Sequence, residues 1–524
     1  MFSGNYVENQ LEKIIVDTLD PDTMEIILKY MKIGLIDLSE YSLNTIGDIA
    51  VAASFLQVTE LIKQIEYTLD LQLSVSNWIE IMSIAEQCAY NNLEKIAIMH
   101  GLLSFKDLKP NYIPTIHMLA WYLSHPFLDS ESEADIFKFG YQWLLHHETG
   151  ADALLVILGC LDLRRITILD IKEIQDFMKD FENSLAAKVI DCLEYLIDNK
   201  LEISCESLHN HKTAICETFT ERVYNEIFNA IKSGIARKLT YTPIVPLWIL
   251  KGSKPEFLPH YLYSFTPENK FQQWLEVAEK NLWGWSIVSW GPSKIVLVGG
   301  EHGRGTGLFM RDIKVYDTLR KEWIQHGVLL PHQRHSGCVV VGDDLYIIGG
   351  VGVFRVVRDT AIIYNLKERS FRKIAKFPDA MQNPATCLHN DAVYAAGHKN
   401  IYKYEDQGDG KDLWETVSYF SNLYRFRPGI DKKLELITYF SSPPSTLCNM
   451  RDNLLAFTRT LSDVTSVEEF RGETNDEKPK VIYSEADTIR VNEVSGSCVI
   501  ISEAPPTDWK LSAYLKSYVQ HYTN

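Results

Sequence analysis

Four short apolar runs in the second half of the chain end in tight-turn residues at a nearly fixed interval. Leu247–Gly252 reads LWILKG, Ile295–Gly300 reads IVLVGG, Leu345–Gly350 reads LYIIGG and Val393–His398 reads VYAAGH. Their last residues, 252, 300, 350 and 398, lie 48, 50 and 48 apart. An aromatic marker follows each run, at Trp274, Trp323, Phe371 and Trp414, and Tyr316 and Tyr364 stand seven residues before Trp323 and Phe371. A unit of that length is enough for one twisted four-stranded sheet, which cannot bury both of its faces alone. Arranging such units around an axis buries the faces and leaves only short edges, which makes a propeller. Gly252, Gly299, Gly300, Gly349, Gly350 and Gly397 let the chain leave an apolar strand in conformations that a Cβ would block. The tyrosines and tryptophans fill the wedge between neighbouring sheets. Fainter echoes occur at Leu454–Phe457 and Cys498–Ile501, the latter followed by Trp509. Four clear repeats and two degraded ones make six blades the expected number over residues 247–524, with five the alternative.

The first half has a different period. Ile46, Ile49, Ala50 and Ala53 fall at helical spacing, as do Trp78, Ile81, Met82 and Ala85, and then Ile136, Phe139, Gly140, Trp143 and Leu144. Each stripe presents one apolar face to a partner helix. Ser130 and Glu133 have capping-box spacing ahead of the third stripe. Asp20-Pro21, Lys109-Pro110 and His125-Pro126 mark turns. Residues 236–246 read as a linker. The fold class is therefore multidomain, an all-α amino-terminal half followed by an all-β propeller.

The 524 residues carry 52 basic and 69 acidic side chains, a net charge of −17, which speaks against a surface built to neutralise nucleic-acid phosphate. The most apolar stretch, Ala151–Leu163, already contains Asp152 and Asp162, so no membrane span is expected. Met1–Glu8 has neither a basic nor an apolar leader region. The nine cysteines form no CxxC pair, which fits reduced thiols in the cytoplasm or nucleus. The glycine-rich stretch Gly299–Gly307 lacks phosphate-loop spacing and runs on into a strand rather than a helix. His146-His147-Glu148 and His209-Asn210-His211 lack metal-site spacing, and no nucleophile elbow occurs. Trp283, Trp285 and Trp290 suit the first strand of a blade better than a stacking platform. No cofactor, no metal and no catalytic residue is expected.

The period near fifty, the glycine pair after an apolar strand and the Tyr/Trp markers resemble the kelch repeat. The helical half resembles two further modules. Met1–Glu8 (MFSGNYVE) is similar to the M-F-[ST]-x-x-φ-x-E stretch of a BTB domain, and Leu28–Leu61 to that domain's second half, including its A-x-x-L-Q pattern. Asn77–Glu86 resembles the helix that follows, with Trp78 where cysteine is usual. Leu123–Trp143 is similar to the hallmark of the BACK domain, and Leu154–Leu163 to its next helix, with Gly159 and Cys160 as departures. In order, these features resemble the BTB–BACK–kelch proteins. The resemblance implies a partial BTB domain over 1–72, the 3-box and BACK helices over 73–235, the linker, and the kelch propeller. Such BTB domains carry roughly 60 residues ahead of the M-F-[ST] segment, including the dimer elements. Their absence here is expected to reflect an incomplete gene sequence, and homodimerisation is not expected of the chain as given.

By the same resemblance, Tyr6, Val7 and Glu8 would contact a cullin-3 scaffold; Lys32 stands where an aromatic is usual. The implied function is that of a non-catalytic substrate adaptor of a cullin-3 ubiquitin ligase. The propeller would bind a target protein, and an actin-binding cytoskeletal scaffold is the alternative. Recognition on a rigid ring is expected in its loops. His302 and Arg304 follow the second glycine turn, Arg355 and Arg358 the third, and His398 and Lys399 the fourth, while Arg334 and His335 lie in the P-x-x-R-x-x-G approach to a blade. Together they would ring an acidic protein with positive charge suited to a carboxylate-bearing peptide.

Overall fold

Eight of the thirteen α-helices described in the first half start at a short polar side chain that satisfies an otherwise unpaired N–H group. Asp20 caps α1 (Pro21–Ile33), with Pro21 at its first turn and Gly34 closing it at φ 78°. Ser42 caps α2 (Leu43–Phe55), which is followed by α3 (Thr59–Gln72), α4 (Trp78–Gln87), α5 (Asn91–Leu103) and α6 (Ile116–Leu123). Then come α7 (Glu133–His146), α8 (Leu154–Gly159), α9 (Ile168–Phe177), α10 (Leu185–Asp198), α11 (Cys205–Asn210), α12 (Lys212–Thr218) and α13 (Glu221–Lys232). This computed structural model describes residues 19–147, 153–181, 184–249, 259–329, 331–398, 400–406, 412–419, 423–425, 435–442, 444–451, 453–459, 464–472, 477–486, 489–491 and 496–520. Tyr6, Val7, Glu8, Gly252 and Lys399 lie outside the described residues.

The helices enclose two cores. Ile27, Ile46, Ile49, Leu61, Ile65 and Ile81 fill one, and a larger one, joined by Trp78 of α4, is built from α5 onward around Tyr122, Phe137, Ile157 and Leu193. The stripes read from the sequence form the buried faces, except that Met82 is only partly buried. Helix α7 starts differently from its expected capping box: Ser132 caps it by accepting from Asp135 N, and Glu133 points into the interior.

The propeller occupies Thr240–Ala504. Its first blade contains β1 (Thr242–Ile249), β2 (Pro259–Thr266) and β3 (Lys270–Lys280). A short pair, β4 (Leu282–Trp283) with β7 (Glu301–His302), flanks the second blade of β5 (Ser286–Trp290), β6 (Lys294–Val298), β8 (Asp312–Asp317) and β9 (Glu322–Val328). The third blade is β10 (Gly337–Val341), β11 (Asp344–Ile348), β12 (Ala361–Asn365) and β13 (Ser370–Lys373). The fourth is β14 (Thr386–His389), β15 (Ala392–Ala396), β16 (Asn400–Glu405) and β17 (Leu413–Tyr419). A ribbon of β18 (Leu423–Arg425) and β19 (Glu435–Thr438) precedes the fifth blade of β20 (Pro444–Asn449), β21 (Leu454–Arg459), β22 (Val464–Phe470) and β23 (Lys480–Ala486). Finally β24 (Ile489–Val491) and β25 (Cys498–Ile500) both pair with β1.

Among the described residues the ring thus has five blades rather than the six expected. The echo at Cys498–Ile501 is not a further repeat: Thr242, Pro243 and Ile244 of β1 lie opposite Ile500, Val499 and Cys498, so β25 supplies the inner strand of the first blade. It also packs beside β5 and β20, the inner strands of the second and fifth blades. The boundaries differ from the expected linker and tail as well. β1 already begins at Thr242, and Pro505–Asn524 belongs to the helical unit rather than to the propeller. There α14 (Ala513–Gln520) buries Leu515 and Val519 in the larger helical core, where Leu511 is buried as well.

Candidate protein-interaction site

Aromatic side chains lock the second, third and fourth blades each to the blade before it. Tyr316 on β8 lies opposite Trp323 on β9, their rings 5.3 Å apart, and the Trp323 Nε1 donates to Glu276 O of the first blade at 3.1 Å. Tyr364 pairs with Phe371, and its hydroxyl reaches His326 O of the second blade at 3.2 Å. Trp414 donates to Ala375 O, just after the third blade's last strand, at 3.0 Å, and within the first blade Trp274 donates to Ser502 O, just after β25, at 3.1 Å. Tyr404 opposite Trp414 completes the pattern in the fourth blade, where a longer hairpin hid it from a seven-residue search. Trp323, Tyr364 and Trp414 thus fill the wedges between blades and carry a directional bond across them.

The glycine pairs end the second strands of two blades and aim the chain into the next loop. Gly299, Gly300, Gly349 and Gly350 have φ of 66°, 111°, 63° and 103°. A Cβ on Gly299 would stand 2.7 Å from Gln333 O, and one on Gly349 2.5 Å from Met381 O. Both conformation and space therefore demand glycine. In an antiparallel blade the loop after the second strand leaves on the same face as the connection to the next blade. The hydrogen bonds from Gly300 N to Gln333 O (3.1 Å) and from Gly350 N to Met381 O (2.8 Å) tie these two kinds of loop together.

On that face the sequence candidates divide into two groups. Arg334 forms an ion pair with Glu301, a carboxylate only 2% exposed. Glu301 also accepts from Gly305 N at 3.1 Å, so the pair shapes the glycine-rich loop from below. His335 adopts φ 57°, packs against Gly284 and faces Asn383 Oδ1 at 3.2 Å. His302 stands 3.8 Å from Glu279, and the backbone N–H of His398 donates to Asp379 at 3.0 Å. These four residues join blades and loops to one another.

Arg304, Arg355 and Arg358 form the second group, with no ion pair among the described residues. Arg304 is exposed and lies over the Trp283 ring, 5.6 Å from its centroid. Arg355 is exposed and its guanidinium lies close to Gly305 of the neighbouring blade's loop. Arg358 packs against Gly352, where a Cβ would lie 2.2 Å from its Nε. Both carboxylates of the two loops are already engaged, Glu301 by Arg334 and Asp359 by Lys376.

Between these cations lie apolar side chains that sequence reasoning missed. Phe354 is 94% exposed, and Leu308, Val353, Val356 and Val357 are exposed as well. The Val-Gly-Val-Phe-Arg-Val-Val run looks like a β-strand from composition alone. Its glycine lead-in instead folds it into a turn, held by Gly352 N to Val356 O at 2.9 Å and by a bridge between Val351 and Val357.

The histidines of the two sequence clusters make local contacts. His147 stacks on Trp143 and His211 faces Ser207 O at 2.8 Å. No group of three His, Cys, Asp or Glu among the described residues is placed to hold a metal ion, and no described helix is long and apolar enough to cross a membrane. Trp285 is buried and Trp290 donates to Asp343 at 3.1 Å, so both serve blade packing.

The Kelch motif family matches residues 334–378, which span the third blade and the approach to it. No curated protein matches the chain. The motif match and the five-bladed ring together support a kelch-repeat protein, whose propeller is a protein-interaction fold.

Proposed function

We propose that the chain is a substrate adaptor of a cullin-3 ubiquitin ligase, in which the propeller binds a target protein and the helical unit docks the cullin. The observation that carries this reading is the loop face of the ring. It presents guanidinium groups without an ion-pair partner among the described residues, and exposed apolar side chains, on a scaffold stiffened by inter-blade hydrogen bonds. The resemblance of Met1–Glu8 and Leu28–Leu61 to BTB segments, and of Leu123–Leu163 to BACK helices, supports the cullin half.

The chemistry asked of such an adaptor is effective concentration. Holding the target's lysines beside a charged ubiquitin carrier replaces a bimolecular encounter with an intramolecular one. Cullin-3 should co-purify with the tagged chain and be lost on Glu8→Ala. A complex that survives this change counts against the assignment. Cosedimentation with actin filaments, without cullin-3, would select the scaffold alternative.

A further inference from the structure

We propose that the carboxy-terminal helix α14 is exchanged between two copies of this chain, each tail seating in the other copy's groove between α6, α8 and α13. The exchange goes beyond the adaptor reading, does not depend on it and uses no BTB dimer element.

Three observations carry it. First, the groove is built for a helix, and the helix in it does not stand alone. With eight residues, α14 is too short to be stable in water by itself. Leu511, Leu515 and Val519, spaced four apart, are buried in the larger helical core. Gly159 on α8 makes the seat: a Cβ there would stand 2.9 Å from Leu515 and 3.0 Å from Tyr514. On α13, Glu226 accepts from the hydroxyls of Tyr514, at 3.1 Å, and Tyr518. Apolar anchors one turn apart in a groove are a general mode of helix recognition.

Second, the segment leading into the groove has the character of a hinge. Residues 503–507 lie in no helix or strand and make no hydrogen bond among the described residues. Pro505 and Pro506 stand within it, and successive prolines favour an extended, stiff connection. A tail joined in this way can be delivered to a second copy with every groove contact kept, which makes exchange a low-cost route to a dimer.

Third, the mismatch in the seated tail is confined to its entrance. His125 is fully buried, and its Nδ1 accepts from Phe127 N at 3.2 Å, which places the ring proton on Nε2. Neither that N–H nor the Nε1–H of Trp509, whose ring lies 6.1 Å away, has a partner among the described residues. A buried donor left unpaired carries its full desolvation cost. The deeper anchors are satisfied: Trp121 Nε1 donates to Trp509 O at 3.1 Å, and both tyrosines reach Glu226. The fault therefore belongs to the path by which the tail arrives. A connector coming from a second copy takes another path, along which its carbonyls can accept from the two N–H groups. The second copy is the occupant the groove selects, because it brings the same anchors at the same spacing.

Light scattering on the purified full chain at micromolar concentration should give about 120 kDa, twice the 60.1 kDa of one chain. Two variants with opposite lesions test the exchange itself. Gly159→Leu fills the seat and keeps a sound tail, whereas Leu515→Asp spoils the tail and keeps the seat. Each alone should scatter as a single chain. Their equimolar mixture should recover the doubled mass, since the tail of the first fits the groove of the second. A synthetic peptide of residues 505–524, added in excess to the unaltered chain, should convert the dimer to monomer without relying on any variant. A full chain that scatters as a monomer would overturn the proposal, and if that monomer binds the peptide the groove serves a different partner. A dimer that persists in Leu515→Asp or is unmoved by the peptide would overturn it as well, by placing the contact elsewhere.

Discussion

Glu133 and Arg237 show how far a residue's role can lie from its local spacing. Glu133 is 3% exposed and Arg237 2%, and their side chains meet at 3.1 Å. Arg237 also donates to Leu123 O, His125 O and Cys160 O, at 2.8, 3.0 and 3.0 Å, and Glu133 accepts from Asp162 N at 3.0 Å. Every donor of this buried guanidinium is thus directed to an oxygen of the helical unit or to Glu133. Removing one member of a buried pair strands the other, at a cost of about 3–5 kcal/mol. Glu133→Ala should lower the stability of the helical unit by that amount, read from denaturant unfolding by the helical circular-dichroism signal. The spacing from Ser130 suggested a cap because both residues suit one; the arginine that claims Glu133 arrives from more than a hundred positions downstream, which no local pattern reveals.

His125 belongs to the same neighbourhood and gives it a pH dependence. Burial, and then the nearby Arg237 cation, push its ring from 6.5 down to about 4, with Asp508 opposing. The unfolded chain therefore binds more protons than the folded one between those values. Stability present above the unfolded value falls as the pH drops through this window, by up to about 3 kcal/mol. Unfolding of the helical unit measured across that range should show this loss, and His125→Gln should flatten the slope whatever its effect on absolute stability.

At the scale of elements, legibility follows locality. The glycine pairs and the Tyr316–Trp323 and Tyr364–Phe371 pairs were readable because each lies within one hairpin or one turn. The apolar stripes of α2, α4 and α7 were readable because helical periodicity is local too. The Val353–Val357 turn was not, since its composition favours a strand and only the preceding glycines and inter-loop hydrogen bonds decide otherwise. Gly349→Ala should destabilise the propeller by about 2–3 kcal/mol or more, because it combines a positive φ with a Cβ directed at a backbone carbonyl. The same change at Gly291, where the φ is 62° but the space is open, should cost only about 1–2 kcal/mol. Thermal unfolding of the two variants compares the two contributions.

At the scale of the whole molecule, the connections that close each unit were the least visible in sequence. The echo at Cys498–Ile501 has the composition of a new repeat, and only its pairing with Thr242–Ile244 makes it the closing strand of the first blade. The chain then returns to the helical unit, where Leu511, Leu515 and Val519 are buried, the Trp121 Nε1 donates to Trp509 O at 3.1 Å, and Tyr514 and Tyr518 both donate to Glu226. Each of the three buried aliphatic side chains contributes about 1.5–3 kcal/mol. Deleting Pro505–Asn524 should therefore destabilise the helical unit and leave the ring intact, whereas a deletion beginning at Gly496 should open the ring as well. Limited proteolysis, with fragments mapped to each unit, distinguishes the two deletions.

An adaptor must hold a scaffold and a target at once, and the scaffold half is the more direct to measure. Titrating the purified chain with purified cullin-3 in a calorimeter should give saturable binding that Glu8→Ala removes and Phe354→Gly leaves unchanged. Absence of binding at any attainable concentration, or equal binding by the Glu8→Ala chain, would contradict the account.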